Sequence, residues 1–159
     1  MSAKNASATI RVLKEGAIPN PQSAITIAVD TSYIIAQGGG TVGKGLYMFD
    51  NRLTNGSSGE GGLELNSEVN QGDYIGFEVV PIDSNTGDTV KITGFNVSQG
   101  SVFGSTGYPM QISASGDYWI GQAVNKTSLT TYQLQIAVSS GGLRPVTYYV
   151  MWDPFIGAK

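Results

Sequence analysis

The stretch TYQLQIAVS, Thr131–Ser139, shows the alternation that decides the fold. Apolar side chains occupy every second position, at Tyr132, Leu134, Ile136 and Val138, with Gln133, Gln135 and Ala137 between them. A period of two is typical of a strand with one face in the core and the other towards solvent. The stretch therefore predicts a half-buried strand.

Similar strand patterns recur along the chain, among them ITIAV at 25–29, DYIGFEVVP at 73–81, TVKITGFNV at 89–97, DYWIGQAV at 117–124 and PVTYYVMW at 145–152. The stretches between them, such as NGSSGEGG at 55–62 and GSTGYP at 104–109, are rich in turn residues. No helix signal stands out. We predict an all-β chain of about eight or nine strands, folded as an antiparallel, jelly-roll-like β-sandwich. A closed barrel is the alternative.

The first 24 residues do not join this pattern. TIRVLK, at 9–14, fits either an edge strand or one helical turn, and Pro19 and Pro21 indicate a hinge. We therefore interpret residues 1–24 as an N-terminal arm, which packs on its own domain or on a neighbour's, and residues 25–159 as a single domain.

The composition argues against several classes of function. The net charge is −3, and the nine basic residues are scattered, so no nucleic-acid surface is expected. No apolar run is long enough for a membrane span, and Arg11 and Lys14 interrupt the place where a signal peptide needs its apolar centre. Without Cys or His, the chain lacks the commonest nucleophile–base pairs. We predict that it is not an enzyme.

The glycine-rich stretch GGGTVGKG, Gly38 to Gly45, nearly matches a phosphate-binding loop. The position of the Mg²⁺-binding hydroxyl is Gly45, however, and the strand-like LYMFD follows where a helix is required. We interpret the stretch as a turn between two strands, Ile25 to Ala36 and LYMFD, and expect no nucleotide site.

Oxygen ligands for a hard cation occur in DSNTGD, at Asp83, Asn85 and Asp88, and Asp50 could add another. Ca²⁺ is the cofactor that such ligands suit, although the stretch fails the EF-hand pattern. The alternative is a hairpin turn, because Asp, Asn and Gly are turn residues. A second acidic group, formed by Glu60, Glu64 and Glu68, invites a glycosidase hypothesis, but it equally fits the polar face of a strand.

Three aromatic residues next to loops, Tyr108, Tyr118 and Trp119, are candidates for carbohydrate binding, because such rings stack on sugars. Tyr118 and Trp119 are consecutive, so one is expected to point inward and the other outward. The alternative is that these rings are divided between the core and an ordinary surface.

Several segments together resemble the bacterial inclusion-body proteins, the PixA/AidA-like family. They are VDTSYIIA at 29–36, YMF at 47–49, the block from Gly62 to Ile75, DYWIGQA at 117–123, YQLQIAV at 132–138 and YVMWDPFI at 149–156. The resemblance covers residues 25–156. The chain differs from the family in its N-terminal arm and in Gly76-Phe77-Glu78 after GDYI. The resemblance implies a β-sandwich in the bacterial cytoplasm, sometimes accumulated in inclusions, with no catalytic residues.

Two hypotheses about function follow. The first is a non-enzymatic protein that associates with copies of itself and accumulates in cells, because a surface with only 13% charged residues offers little repulsion. The second is a carbohydrate-binding module, either dependent on Ca²⁺ or not, whose partners would be glycans. An enzyme that uses carboxylates is the weakest alternative.

Overall fold

The structure is a computed structural model that describes residues 19–159. These residues form two sheets, which we call sheet A and sheet B. The strands of sheet A are β1 (Ser23–Val29), β3 (Leu46–Asp50), β5 (Tyr74–Pro81), β7 (Met110–Gln111) and β8 (Tyr118–Gln122). Their order across the sheet is β3-β1-β5-β8-β7. The first strand thus begins at Ser23, inside the segment interpreted as the arm; residues 1–18 lie outside the described residues, so the arm stays a prediction.

Sheet B is built around the longest strand, β9 (Thr127–Ser139). One side of β9 pairs with β6 (Thr89–Gln99), and the other pairs with β10 (Thr147–Trp152) and then with β11 (Phe155–Ala158). Outside these lie β2 (Gly40–Thr41), next to β10, and β4 (Asn66–Val69), next to β11. The all-β, two-sheet fold is therefore confirmed, with eleven strands in the described residues.

The sheets are mixed, whereas the sequence predicted antiparallel pairing. The pairs β1–β5, β2–β10 and β4–β11 are parallel, and the other strand pairs are antiparallel. Parallel neighbours need a long crossover, and here each such pair is separated by more than 40 residues of chain. A local alternation pattern carries no information about which distant strand becomes the neighbour.

A short helix, α1 (Thr31–Gln37), lies where we predicted the second half of a strand. Asp30 begins it, because its side chain accepts a hydrogen bond from the Tyr33 N–H at 3.1 Å. Gly38 ends it with a φ of 94° and donates its N–H to Ile34 O. The glycine-rich stretch therefore follows a helix and leads into strand β3, the reverse of the order in a phosphate-binding loop.

The core lies between the two sheets. All four alternating apolar residues of TYQLQIAVS are fully buried, as predicted. Aromatic rings form its centre: Phe77 and Phe95 pack edge to face with centroids 4.8 Å apart, and Tyr132 packs against both. No helix in residues 19–159 is long and apolar enough to cross a membrane.

Candidate functional site

The three aromatic candidates lie in different environments. Trp119 is 2% exposed, packs against Phe95 and donates its indole N–H to Gly116 O at 3.1 Å, so its ring is in the core and has no face for a sugar. Tyr118 points to the opposite side, as predicted, and is half-buried. Tyr108 is also partly buried: its ring packs on Phe103, and its hydroxyl accepts the Val97 N–H at 2.9 Å.

The stretch DSNTGD contains a 3₁₀ turn, Ser84–Thr86. It is not the hairpin turn that we gave as the alternative, because it connects β5 in sheet A to β6 in sheet B. Asp83 accepts the N–H of Asn85 at 2.9 Å. Asp88 accepts hydrogen bonds from the Thr31 hydroxyl at 2.7 Å and from the Gly141 N–H at 2.8 Å. These bonds lower the pKa of Asp88 below its usual value, and the bond from Gly141 has the largest effect. Its two oxygens therefore tie this turn to helix α1 and to the β9–β10 loop.

Asp50 lies far from this turn. It pairs with Ile25 near the start of β1, whereas Ile82, next to Asp83, bonds to Val29 at the end of β1. The four proposed ligands are therefore divided between the two ends of a strand, and they do not form one cation site. Within residues 19–159, no three His, Cys, Asp or Glu residues are grouped as metal ligands.

A groove of about 370 Å³ lies next to Asp88. Its charged lining groups are Asp88, Asp117 and Lys91, and no aromatic side chain of the described residues lines it. Hydrogen bonds from Ser113 and Ser115 lower the pKa of Asp117, so both carboxyls are ionised at neutral pH. The groove therefore lacks the stacking ring that the carbohydrate hypothesis requires.

The most unusual polar arrangement is centred on Asp50, at the end of β3. Its Oδ2 accepts hydrogen bonds of 2.7 Å from two hydroxyls, that of Ser57 in the β3–β4 loop and that of Ser67 on β4. Its Oδ1 accepts the Arg52 N–H at 2.9 Å. Both serines are buried. One carboxylate thus joins sheet A, sheet B and the loop between them; we call this group the Asp50 centre.

Glu60 completes the Asp50 centre and covers the edge of β3. Its Oε2 accepts the N–H of Asp50 at 2.9 Å. Burial first, and then the hydrogen bond and charge of Asp50, raise the pKa of Glu60 to about 7. Burial alone would raise the pKa of Asp50 too, but hydrogen bonds from Glu60, Ser67 and Ser57 outweigh it and lower that pKa. Between these two pKa values Glu60 is protonated and Asp50 is ionised, so the pair carries one proton.

The loop that carries Glu60 covers one edge of each sheet, β3 in sheet A and β4 in sheet B. Beside Glu60, the N–H and C=O of Met48 in β3 bond to Gly62 and Gly61. On β4, Asn66 exchanges two backbone bonds with Ser58, and the Glu68 N–H reaches Ser57 Oγ at 2.9 Å. The unpaired backbone groups of an edge strand invite pairing with another chain. Here the loop satisfies them from within the same molecule.

Asp50 and Glu60 belong to separate hypotheses from the sequence, a cation site and a glycosidase pair, and the structure brings the two residues together. The side chains of the strand-face pair that we considered, Glu64 and Glu68, bond to none of the groups of the Asp50 centre, and Glu68 contributes only its N–H, to Ser57. Near the centre, Tyr132 is fully buried, and burial together with the Asp50 charge raises its pKa above the ordinary tyrosine value. Tyr132 is therefore a poor proton donor at neutral pH. The arrangement can store a proton and close two strand edges.

A second feature is the outer face of sheet A, the side that points away from the core. Tyr47 and Phe49 on β3 point outward and are 40% and 42% exposed. On the neighbouring strands, the same face of the sheet carries the small or apolar residues Ala28, Thr26, Val80 and Tyr118. Glu78, which is exposed, is the one charged residue in these rows. We call this surface the A face.

The chain is similar to a known family in sequence and to a solved structure in fold. A family model described as a domain of unknown function (DUF8788) matches residues 22–143. No curated protein matches the sequence. The crystal structure of an inclusion body protein (PixA) from Burkholderia cenocepacia J2315 superposes with a TM-score of 0.72, at 18% identity, over 91% of this chain and 99% of that one. The fold implied by the resemblance to inclusion-body proteins is therefore confirmed.

Proposed function

The chain belongs to the family described as a domain of unknown function (DUF8788), and from this premise we propose that it is a non-enzymatic, inclusion-body-type protein. In this proposal copies of the chain associate through their A faces and accumulate in the bacterial cytoplasm. The fold shared with the PixA protein supports the general class.

One observation carries the proposal: Tyr47 and Phe49 lie side by side on an exposed sheet face that contains a single charge. Burying such rings against another copy removes apolar area from water, which favours association by about 25 cal/mol for each Å². Repulsion is small, because only 13% of the residues are charged.

The geometry favours packing of faces over pairing of edges. The Asp50 centre and the β3–β4 loop already bond the outer backbone groups of β3 and β4. A copy that approaches these edges finds few free hydrogen-bonding groups, whereas the A face offers flat apolar surface. Association would thus preserve the native fold of each copy.

Light scattering over a rising concentration series tests this proposal. The double variant Tyr47→Ser, Phe49→Ser should stay monomeric at concentrations where the original chain associates, and it should form fewer inclusions in cells. Leu143→Ser is the control, since Leu143 is fully exposed in the β9–β10 loop rather than on the A face. An original chain that remains monomeric at high concentration would refute association altogether.

A further inference from the structure

The edges of β3 and β4 are covered by residues 56–62, which we call the edge segment. Its sequence, GSSGEGG, contains no apolar side chain, and a shallow groove of about 550 Å³ lies beside Glu60 and the glycines on either side of it. Besides its side-chain bonds to Asp50, backbone bonds join it to Met48 on β3 and to Asn66 on β4. A hydrogen bond that replaces one with water adds little net stability. The edge segment can therefore detach while the core between the sheets stays intact.

Glu60 is the one carboxyl of the edge segment. Its Oε2 accepts the Asp50 N–H at 2.9 Å. Its Oε1 is buried, and no donor among residues 19–159 bonds to it. The two side chains also hydrogen-bond to each other, which two carboxyl groups do only when one of them is protonated. A proton on Glu60 turns the unpartnered oxygen into a donor towards Asp50.

No basic side chain of residues 19–159 forms an ion pair with either carboxyl. Three basic residues lie on the neighbouring segments, and each makes its contact elsewhere: Lys44 lies over the ring of Tyr33, Arg52 Nη2 bonds to Asp73 at 3.2 Å, and Lys159 Nζ donates to Asn55 O at 2.6 Å. Further titratable side chains on the surrounding elements are Glu64 in the same loop, Glu68 on β4 and Tyr132 on β9. These are acids or a neutral phenol. A second negative charge beside Asp50 would therefore have no cationic partner among the described residues.

We propose that a proton on Glu60 holds the edge segment against β3 and β4, and that loss of this proton releases the segment. With the proton, the Glu60 carboxyl donates to Asp50 while its other oxygen accepts the Asp50 N–H. Without it, two carboxylates face each other, and repulsion replaces the hydrogen bond. Release uncovers the outer backbone groups of Met48 and Asn66, which can then pair with water or with another strand. This device does not depend on association through the A face.

Release should increase with pH. In the closed form, burial and Asp50 raise the pKa of Glu60 from its usual 4.5 to about 7, and in the released form we expect the usual value. The proton therefore favours the closed form fully below pH 4.5, and this advantage is lost as the pH rises through 7. The full shift would raise the released fraction roughly seventy-fold between pH 5 and pH 8. Solvent screening of a partly exposed group reduces the expected change to about ten-fold.

Hydrogen exchange of single amides, followed by NMR, tests the proposal. The readout is the protection of the Asp50, Met48 and Asn66 amides, which bond to the edge segment. Corrected for the intrinsic effect of pH on exchange, their protection should fall about ten-fold from pH 5 to pH 8. Glu60→Gln retains a donor and an acceptor but cannot ionise, so the same amides should be equally protected at both pH values. Glu64→Gln removes an exposed acid of the same loop and should keep the pH dependence of the original chain.

Two results would overturn the proposal: equal protection at pH 5 and pH 8 in the original chain, or a fall in protection that persists in Glu60→Gln. Urea separates release of the edge segment from unfolding. Exchange of these amides should be insensitive to low concentrations of urea, because release exposes little surface. Exchange that accelerates with urea in step with the amides of β9 would mean that the whole fold opens, and it would reject a separate release. A chain that stays monomeric would refute association through the A face and would leave these exchange results unaffected.

Discussion

The edge of β3 and the outer face of the same strand differ in what they leave accessible to solvent. At the edge, Glu60, Gly61 and Gly62 bond to the backbone of Asp50 and Met48, so its hydrogen-bonding groups are occupied. On the face, Tyr47 and Phe49 leave about two-fifths of their surface exposed. One strand thus combines a closed edge with an open face.

This difference indicates which kind of contact between copies β3 allows. Pairing between edge strands joins sheets edge to edge and can build fibrils, because each new copy presents another open edge. Face packing needs no free backbone groups and ends when both faces are covered. A closed β3 edge beside an open apolar face therefore favours packing of folded copies over strand pairing at this edge.

Asp50→Ala should loosen the loop that covers the edge of β3, with the largest effect. It removes a charged acceptor and leaves the buried hydroxyls of Ser57 and Ser67 without their partner. We expect the free energy of unfolding to fall by about 4 kcal/mol, measured by urea denaturation. Asp83→Ala is the control, because it loses only an exposed bond at the start of a turn and should cost about 1 kcal/mol or less. Equal costs would mean that the Asp50 centre does not hold the sheets together.

Met48→Ala and Phe49→Ser compare the two sides of β3 directly. Met48 is fully buried, and its sulfur accepts the indole N–H of Trp152 at 3.1 Å. Truncation of Met48 should cost about 2–3 kcal/mol through the cavity that it leaves. Phe49→Ser should change the free energy of unfolding by about 0.5 kcal/mol but should reduce association. A large loss of stability for Phe49→Ser would show that the face belongs to the core.

The pH dependence of unfolding probes the proton on Glu60. Because the pKa of Glu60 rises from its usual 4.5 to about 7 in the fold, its contribution is complete below pH 4.5 and is lost as the pH rises through 7. We expect a loss of about 1–2 kcal/mol, reduced from the full shift because solvent screens a partly exposed group. Glu60→Gln cannot ionise and should flatten this slope in urea denaturation at pH 5 and pH 8. A slope that survives the substitution must arise elsewhere.

The sequence predicted the features that depend on local alternation. The buried residues of β9 and the opposite directions of Tyr118 and Trp119 follow from a period of two, and both are found. Helix α1 was missed because Tyr33, Ile34 and Ile35 are typical strand residues. Its signals were present at both ends, in the capping Asp30 and in Gly38.

Features that depend on distant parts of the chain could not be read in this way. Asp50 and Glu60 are ten residues apart and meet only because a glycine-rich loop turns back along β3. Asp50 and Asp88 looked equivalent as oxygen ligands, yet the length of β1 separates them. Which strands become parallel neighbours is decided by the packing of the whole core, which no short pattern encodes.

Strand β11 has a consequence for how the protein is made. Residues Phe155–Ala158 lie between β9 and β4, and β4 was synthesised almost ninety residues earlier. During synthesis, β4 cannot pair with β11 until the residues up to Ala158 have left the exit tunnel of the ribosome. Sheet B can therefore be completed only after translation has passed this point, and until then the nascent chain exposes the strands that the finished molecule hides. Chaperones that bind exposed strands would have their longest opportunity in this interval.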